Sequence, residues 1–396
     1  MNAIPPGQVV ELQARQVFAA FHRLRERAPG ATGHRNFGVE GDRDLVAAIE
    51  GIAQQPTSLG ARVRGATGLS IEVVPAQLAK ALAEALQLHT QPARFADWSE
   101  FDNLTPVQDD DEIKGLESLL EEFLARRPKD LVLAAPGDEE MPAATLFHVG
   151  RLTKSPVLRP LLYPSAFYDA VDQKPTIAAA RSTPVHLYDP DRSKLEVRTN
   201  ILECICFETM RHGRSFVLCS GRWYEANGDF VARVRARISA LSAPKKRLPR
   251  WDGIQDEATY NVGAGKKGTG IVTLDRKLVR IGGGKSALEH CDLFHAASRT
   301  LYFVKQYSGS STMSHLVEQT RRTAELFFAA DGAYRKKMAK AGLKAPKARP
   351  QQRDWTLCLV VMGRELAKLP LFAQCAIARL TRDLERNQHS VAAQAV

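Results

Sequence analysis

The chain has 396 residues, of which 44% are hydrophobic and 25% charged, a balance typical of globular proteins with room for two or three domains. It contains 55 Lys and Arg residues against 44 Asp and Glu residues, and the resulting net charge of +11 favours a polyanionic partner. The sequence shows neither an apolar signal region at its start nor an apolar run as long as a membrane span, so we expect a cytoplasmic protein without membrane contact.

The first 245 residues predict a mixed α/β region, which a break near residue 150 would divide into two subdomains. The apolar spacing of residues 8–28 predicts a helix. Further on, the pattern predicts a strand followed by a helix that Pro75 begins, and a long amphipathic helix from about Asp109 to Arg126.

Short strands are predicted beyond the break, around residues 203–208, 215–219 and 222–225, with turns at Gly213 and Gly221. A helix with a basic outer face follows them, and residues 243–252 are interpreted as a linker. This linker would separate the N-terminal region, residues 1–245, from a C-terminal domain of residues 250–396.

The C-terminal domain changes in character, because its predicted elements follow the order α-β-β-β-α-β. The predicted segments are "DEATYNVGA", "GIVTLD", "ALEHCDLFH", "TLYFVKQY", a long helix from "TMSHLVEQ" onward, and the apolar strand "WTLCLVVMG", after which a last helix begins at "PLFAQ". The chain as a whole is therefore predicted to be an α+β protein.

The glycine-rich segment "IGGGKS" looks like a phosphate-binding loop, but its spacing is wrong. Such a loop requires a glycine five residues before Gly284, and that position is Val279. A turn between two strands explains the segment without a nucleotide.

Two charged residues interrupt apolar strands in the C-terminal domain, Asp292 in "HCDLF" and Lys305 in "LYFVK". Burying either charge is costly unless it is paired or bound to a ligand. A carboxylate on one strand and a lysine on its neighbour could form a site for phosphodiester cleavage with Mg²⁺ or Mn²⁺. The alternative is structural, with Asp292 capping a strand end and Lys305 on a solvent-facing surface.

This order of elements and charges resembles the PD-(D/E)xK nuclease superfamily, whose core is α-β-β-β-α-β. The resemblance implies that Asp292 is a metal ligand, Lys305 the catalytic lysine, Glu257 the helix glutamate and Gln319 the later glutamine. Phe303 stands where the superfamily has its second carboxylate. The resemblance then requires a carboxylate from another element, such as Glu289 or Glu318. Glu289 stands three residues before Asp292, so a bulge would be needed to bring both to one face of the strand.

Several segments in order, among them "FDNLTPVQDDDEIKGLESLLEE", "VLCSGRWYEANGDFVARV" and "VKQYSGSSTMSHLVEQ", resemble an uncharacterised bacterial family of sporadic distribution. The family's members recur in defence-like gene neighbourhoods. This resemblance covers nearly the whole chain and implies a role in defence against foreign genetic elements, without indicating a reaction.

Basic residues concentrate in residues 233–250 and 335–353, and we interpret both segments as contacts to nucleic acid, DNA or RNA. Hydroxyl groups at the start of the helix after the lysine strand could hold a phosphate. The predicted nucleic-acid contacts are Lys245, Lys246, Arg247, Ser311, Ser314, Arg335, Lys336 and Lys337.

The leading hypothesis is a metal-dependent nuclease, or a degenerate relative that binds nucleic acid, acting in defence. The alternative is a non-catalytic module that binds nucleic acid or protein, which Phe303 favours. A third class is a transferase that holds a phosphate-bearing cofactor at the Ser/Thr-rich helix start. Further partners would be a second copy of the chain or another protein of a defence system.

Overall fold

The structure is a computed structural model, and it describes residues 7–16, 23–31, 44–53, 62–65, 69–71, 73–90, 103–134, 146–159, 162–171, 174–189, 194–266, 268–275, 278–280, 287–308, 310–330, 332–340 and 348–396. Within these ranges only the backbone is described for residues 7–71, 88–90, 189, 194–198, 278–280 and 287–289 and for Ser310, Ser311 and Ser314. The chain mixes helices with antiparallel and mixed sheets, which confirms the α+β class. It divides into two compact units, residues 1–230 and 231–396, so the expected linker lies within the second unit.

The first unit contains thirteen strands among the described residues. They are β1 (Gly7–Gln16), β2 (Arg23–Ala31), β3 (Asp44–Ala53), β4 (Arg62–Gly65), β5 (Leu69–Ile71), β6 (Leu104–Pro106), β7 (Val132–Leu133), β8 (Leu146–Val149), β9 (Pro184–Asp189), β10 (Lys194–Asn200), β11 (Ile205–Arg211), β12 (Arg214–Cys219) and β13 (Arg222–Ala226). They form three sheets, ordered β2-β1-β3-β4-β5, β10-β9-β8 and β6-β13-β12-β11-β7.

The helices of this unit are α1 (Leu78–Thr90), α2 (Asp110–Ala125), α3 (Pro164–Ala170), α4 (Ile177–Ser182) and α5 (Ile201–Cys204), and α6 (Gly228–Ser239) runs on into the second unit. A 3-10 turn that starts at Pro75 leads into α1, as expected. The carboxylate of Asp109 accepts from the N–H of Glu112 and caps α2, whose buried leucines lie four residues apart.

The helix predicted for residues 8–28 is wrong, because β1 and β2 form an antiparallel pair there. Val10, Leu12 and Ala14 alternate with polar residues, which is the period of a strand. The turns predicted at Gly213 and Gly221 are confirmed, since both glycines have positive φ and connect paired antiparallel strands.

Two buried histidines face each other across the β8–β9 pair, and the burial of His186 predicts that the first unit loses stability in acid. The rings of His148 and His186 lie 5.7 Å apart between centroids, and both residues are buried. Burial, and secondarily the nearby His148, lower the pKa of His186 below its ordinary value. The folded unit therefore disfavours a protonated His186, whereas the unfolded chain accepts the proton freely.

We expect the free energy of unfolding to decrease as the pH falls below the ordinary histidine range, about 6.5. A His186→Gln variant should lose less stability than the wild type between pH 7 and pH 5, because it cannot bind that proton. Chemical denaturation at both pH values measures the difference. Equal losses in the two proteins would show that His186 does not contribute.

The second unit is built on one five-stranded sheet, with the order β14-β17-β18-β19-β20. The described strands of the unit are β14 (Ile271–Thr273), β15 (Leu278–Arg280), β16 (Ala287–Glu289), β17 (Leu293–His295), β18 (Thr300–Gln306), β19 (Thr356–Met362) and β20 (Ser390–Ala395), of which β15 and β16 lie outside this sheet. The helices that follow α6 are α7 (Glu257–Ala264), α8 (Ser310–Phe327), α9 (Ala333–Lys340) and α10 (Leu371–Arg386). The strands β14, β17 and β18 run antiparallel, whereas β18, β19 and β20 run parallel.

The predicted strand "ALEHCDLFH" is split in two, since β16 pairs with β15 in a separate two-stranded sheet and β17 joins the main sheet. The chain bends at Asp292 between them. The strands β15 and β16 pair antiparallel, and the turn predicted at the glycine-rich segment falls on residues 281–286, which lie outside the described residues. The predicted order also missed β20, whose small buried residues Ala392 and Ala393 give a weak strand signal.

The two faces of the main sheet carry separate apolar layers, because side chains alternate along β18. Leu301 and Phe303 belong to the layer that contains residues of α8, α9 and α10. Tyr302 and Val304 belong to the opposite layer, with α7 and Leu248. Below, the side of the sheet that packs against α7 is called the α7 face, and the side that packs against α8 is called the α8 face.

Candidate functional site

The site forms where β17 ends and β18 continues beyond it. Leu293 is the last residue of β17 at this end and pairs with Tyr302, so the backbone N–H groups of Val304 and Gln306 extend past the ladder on the same edge of β18. Each of these N–H groups is bound by a carboxylate. Since the two donors are two residues apart, they lie about 7 Å from each other along the strand.

Asp292 supplies the first carboxylate. Its side chain is fully buried, and its Oδ2 atom accepts from the N–H of Val304 at 2.7 Å. Its backbone N–H donates to the carbonyl of Tyr302, and its carbonyl accepts from the N–H groups of Leu274 and Asp275. Asp292 thus precedes the strand rather than lying inside it, and its carboxylate caps the strand edge in the manner of the structural alternative.

Glu257, the first residue of α7, supplies the second carboxylate. Its Oε2 atom accepts from the N–H of Gln306 at 3.0 Å, and its Oε1 atom accepts from Nζ of Lys305 at 2.5 Å. The side chains of Lys305 and Glu257 are 22% and 25% exposed, so solvent reaches this ion pair. The structure therefore brings Glu257 and Lys305 into direct contact, with Asp292 bound one residue before Lys305.

Phe303 lies on the α8 face and is fully buried. A carboxylate at this position would point into the apolar layer, away from α7. Glu289 lies in β16, outside the main sheet, and its side chain lies outside the described residues. Gln319 lies on α8, where its Nε2 atom is buried without a hydrogen-bond partner among the described residues.

The predicted nucleic-acid contacts do not share one surface. Lys245, Lys246 and Arg247 are exposed beside Leu248, which packs on the α7 face. Lys336 and Lys337 are exposed on α9, whose buried residues pack on the α8 face. From the sequence we also expect both basic segments on the side of the C-terminal domain where Asp292 opens to solvent, and this expectation is wrong, because the segments pack on opposite faces of the sheet and Asp292 is buried.

Arg335 is predicted to contact nucleic acid at the surface, but its side chain is only 3% exposed. Its guanidinium donates to the carbonyls of Phe327 and Ala329 at the end of α8, a helix terminus whose carbonyls need donors. Ser311 and Ser314 lie in the first turns of α8, and their side chains lie outside the described residues.

The segment interpreted as a linker is instead fixed to the main sheet. The backbone N–H and carbonyl of Leu248 bind the side chain of Gln394 on β20. The hydroxyl of Tyr302 donates to the carbonyl of Lys246, and that of Tyr260 donates to the carbonyl of Pro249. These bonds hold the three basic side chains next to the α7 face, on the same side as Glu257.

Sequence reasoning missed Asn261, which is fully buried on α7 one turn after Glu257. Both of its side-chain atoms, Oδ1 and Nδ2, lack a hydrogen-bond partner among the residues that the structure describes. A buried amide without partners is uncommon and calls for a ligand or water. The available signal was the spacing of four residues between Glu257 and Asn261, which puts both on one helix face.

The side chains along this edge include the carboxylates that Mg²⁺ takes, since Mg²⁺ is bound in proteins by one or two carboxylates together with water and substrate phosphates. Asp292 and Glu257 provide the carboxylates. Among the described residues, no group of three His, Cys, Asp or Glu side chains comes together as a metal site. The fit to Mg²⁺ therefore depends on these two carboxylates and on neutral oxygen donors such as Asn261.

Comparison with known proteins identifies the family but not the reaction. A family model described as "Family of unknown function (DUF6119)" matches residues 1–396. No curated protein and no solved structure matches the chain. Within the part of the chain that the structure describes, no helix is both long and apolar enough to span a membrane.

Proposed function

The chain belongs to this family of unknown function, as its sequence led us to expect, and we propose that its second unit is a restriction-endonuclease-like domain that cleaves nucleic acid with Mg²⁺ or Mn²⁺. One observation carries the proposal. Asp292 and Glu257 bind the neighbouring β18 residues Val304, Lys305 and Gln306, in a unit whose main-sheet elements begin in the order α7-β14-β17-β18-α8-β19 and continue to α10 and β20.

Each side chain has a role that its position supports. Asp292 and Glu257 would hold the cation through their carboxylates. A bound cation would stabilise negative charge on the phosphate as a Lewis acid and would activate a water molecule. Lys305 presents its ammonium group beside Glu257 at the partly exposed end of β18 and would stabilise negative charge on a bound phosphate. Lys245, Lys246 and Arg247 would hold the backbone of the nucleic acid next to the α7 face.

The test is cleavage of DNA and of RNA by the full chain, with Mg²⁺, with Mn²⁺ and with a chelator. Cleavage of either substrate that needs the cation is expected. A folded protein that leaves both substrates intact with both cations would refute the nuclease proposal. Defence against foreign genetic elements and a cytoplasmic location remain parts of the proposal, and protection of cells against phage tests the former.

A second candidate is a non-catalytic module that binds nucleic acid, and two observations favour it. Phe303 fills the apolar layer where a second strand carboxylate would otherwise stand. The carboxylates of Asp292 and Glu257 already bind backbone N–H groups, as they would in a purely structural role. Binding without cleavage distinguishes this candidate from the nuclease.

Both candidates predict that binding weakens steeply with salt, because basic side chains that neutralise phosphates release counterions. Replacing Lys245, Lys246 and Arg247 by glutamate should weaken binding and lower the slope of log affinity against log salt by about 1 for each phosphate that these side chains neutralise. Affinity measured at several salt concentrations gives both quantities. Lys368→Glu, at an exposed lysine paired with Glu365, is the matched control and should bind like the wild type. Binding that does not respond to salt would contradict this assignment.

A further inference from the structure

We infer that Asn261 is an oxygen ligand of a divalent-cation site, together with Asp292 and Glu257, and that it takes the place of the carboxylate missing at Phe303. This inference rests on the proposed function, since it completes the cation site that cleavage requires. Cation binding can nevertheless be measured separately from cleavage.

The burial of Asn261 indicates a bound group. Its side chain is fully buried, and neither Oδ1 nor Nδ2 has a hydrogen-bond partner among the described residues. Leaving a buried amide unsatisfied costs free energy, whereas an apolar residue of similar size would fit this layer without that cost. An asparagine here is explained by a bound group that uses the amide, and an amide oxygen is a ligand that Mg²⁺ and Ca²⁺ accept.

Asn261 lies on the face of α7 that packs against the sheet. Tyr260, Asn261 and Ala264 are the buried residues of α7, so the amide lies on the helix face that packs against the sheet. The carbonyl of Asn261 accepts from the hydroxyl of Thr273 at 3.2 Å, and Thr273 pairs with Leu293, the residue after Asp292. The backbone of Asn261 therefore lies beside Thr273, which is one strand spacing, roughly 5 Å, from the residue that follows Asp292.

Glu257 and Asn261 lie on the same side of the sheet. Glu257 precedes Asn261 by one helical turn, so both project from α7 in the same direction. Phe303 is fully buried in the opposite apolar layer, so a short carboxylate at this position would be surrounded by apolar side chains. In this proposal Asn261 on α7 supplies the additional oxygen ligand, in place of a carboxylate at Phe303 on β18.

Thermal unfolding of the full chain with and without Mn²⁺ tests the inference, with titration calorimetry of Mn²⁺ into the wild type as a second measurement. The wild type should melt at a higher temperature with Mn²⁺, because a ligand that binds only the folded state stabilises it. Asn261→Leu should remove this rise, and without metal it should melt about 2–4 °C above the wild type, since it buries no unsatisfied amide. Asn261→Asp should keep the rise or enlarge it.

Thr320→Val is the matched control, because it removes a buried hydroxyl on the α8 face and should leave the effect of Mn²⁺ unchanged. The inference is overturned if the wild type neither binds Mn²⁺ in the titration nor melts higher with it, or if Asn261→Leu retains the full rise. A wild type that binds Mn²⁺ through Asn261 but cleaves neither DNA nor RNA would support this site and refute the proposed cleavage.

Discussion

Replacing Phe303 by alanine is expected to lower the free energy of unfolding of the second unit by about 3–5 kcal/mol, the usual cost of deleting a buried aromatic ring. Phe303 is fully buried in the layer that contains residues of α8 and α10. The loss combines the transfer of the ring to water in the unfolded state with the cavity that the folded state retains. Chemical denaturation measures it.

Two further substitutions at the same position separate packing from chemistry. Phe303→Leu keeps most of the volume and should cost about 1–1.5 kcal/mol. Phe303→Asp restores the carboxylate of the nuclease pattern but would bury a charge in an apolar layer, and we expect no folded second unit. A stable Phe303→Asp variant would contradict the placement of this residue and would reopen β18 as a source of metal ligands.

The sequence was sufficient to predict that the strands near Asp292 and Lys305 are neighbours. Each of these charged residues interrupts an apolar run, and only a short segment separates the two runs. Adjacent strands separated by a short turn usually pair, and β17 and β18 do. The contact between Glu257 and Lys305 could not be derived from spacing, since 48 residues separate them. Only the resemblance to a known superfamily suggested that the two belong to one site.

Other predictions failed because local pattern does not determine tertiary packing. Residues 8–28 contain apolar residues that suit either a helix or a strand, and pairing with β3 on the other side of β1 favours the strand. Arg335 looks like a surface charge in a basic run, yet the end of α8 needs donors for its carbonyls. Asn261 carries no charge, and its spacing of four residues from Glu257 is a weak signal, so its burial without hydrogen-bond partners among the described residues is what identifies it.

The largest functional effects are expected at Asp292 and Lys305. Asp292→Asn removes the negative charge while it keeps an oxygen that can accept from the N–H of Val304. Lys305→Ala removes the ammonium group, while Gln306 still donates to Glu257. If the site cleaves phosphodiesters, each variant should lose about 3–4 kcal/mol of transition-state stabilisation, which corresponds to a rate roughly 10²–10³ lower.

The choice of variant at Asp292 decides whether the experiment is informative. Asp292→Ala would leave the buried N–H of Val304 without this acceptor, at a cost of about 1–3 kcal/mol in stability, so lost activity could reflect lost folding. Asp292→Asn avoids that ambiguity, provided that its melting temperature stays near that of the wild type. Lys368→Ala, at an exposed ion pair of the same unit, should keep both cleavage and stability. Cleavage that survives both Asp292→Asn and Lys305→Ala would assign the reaction to another part of the chain, and Asp292 would then be a strand cap alone.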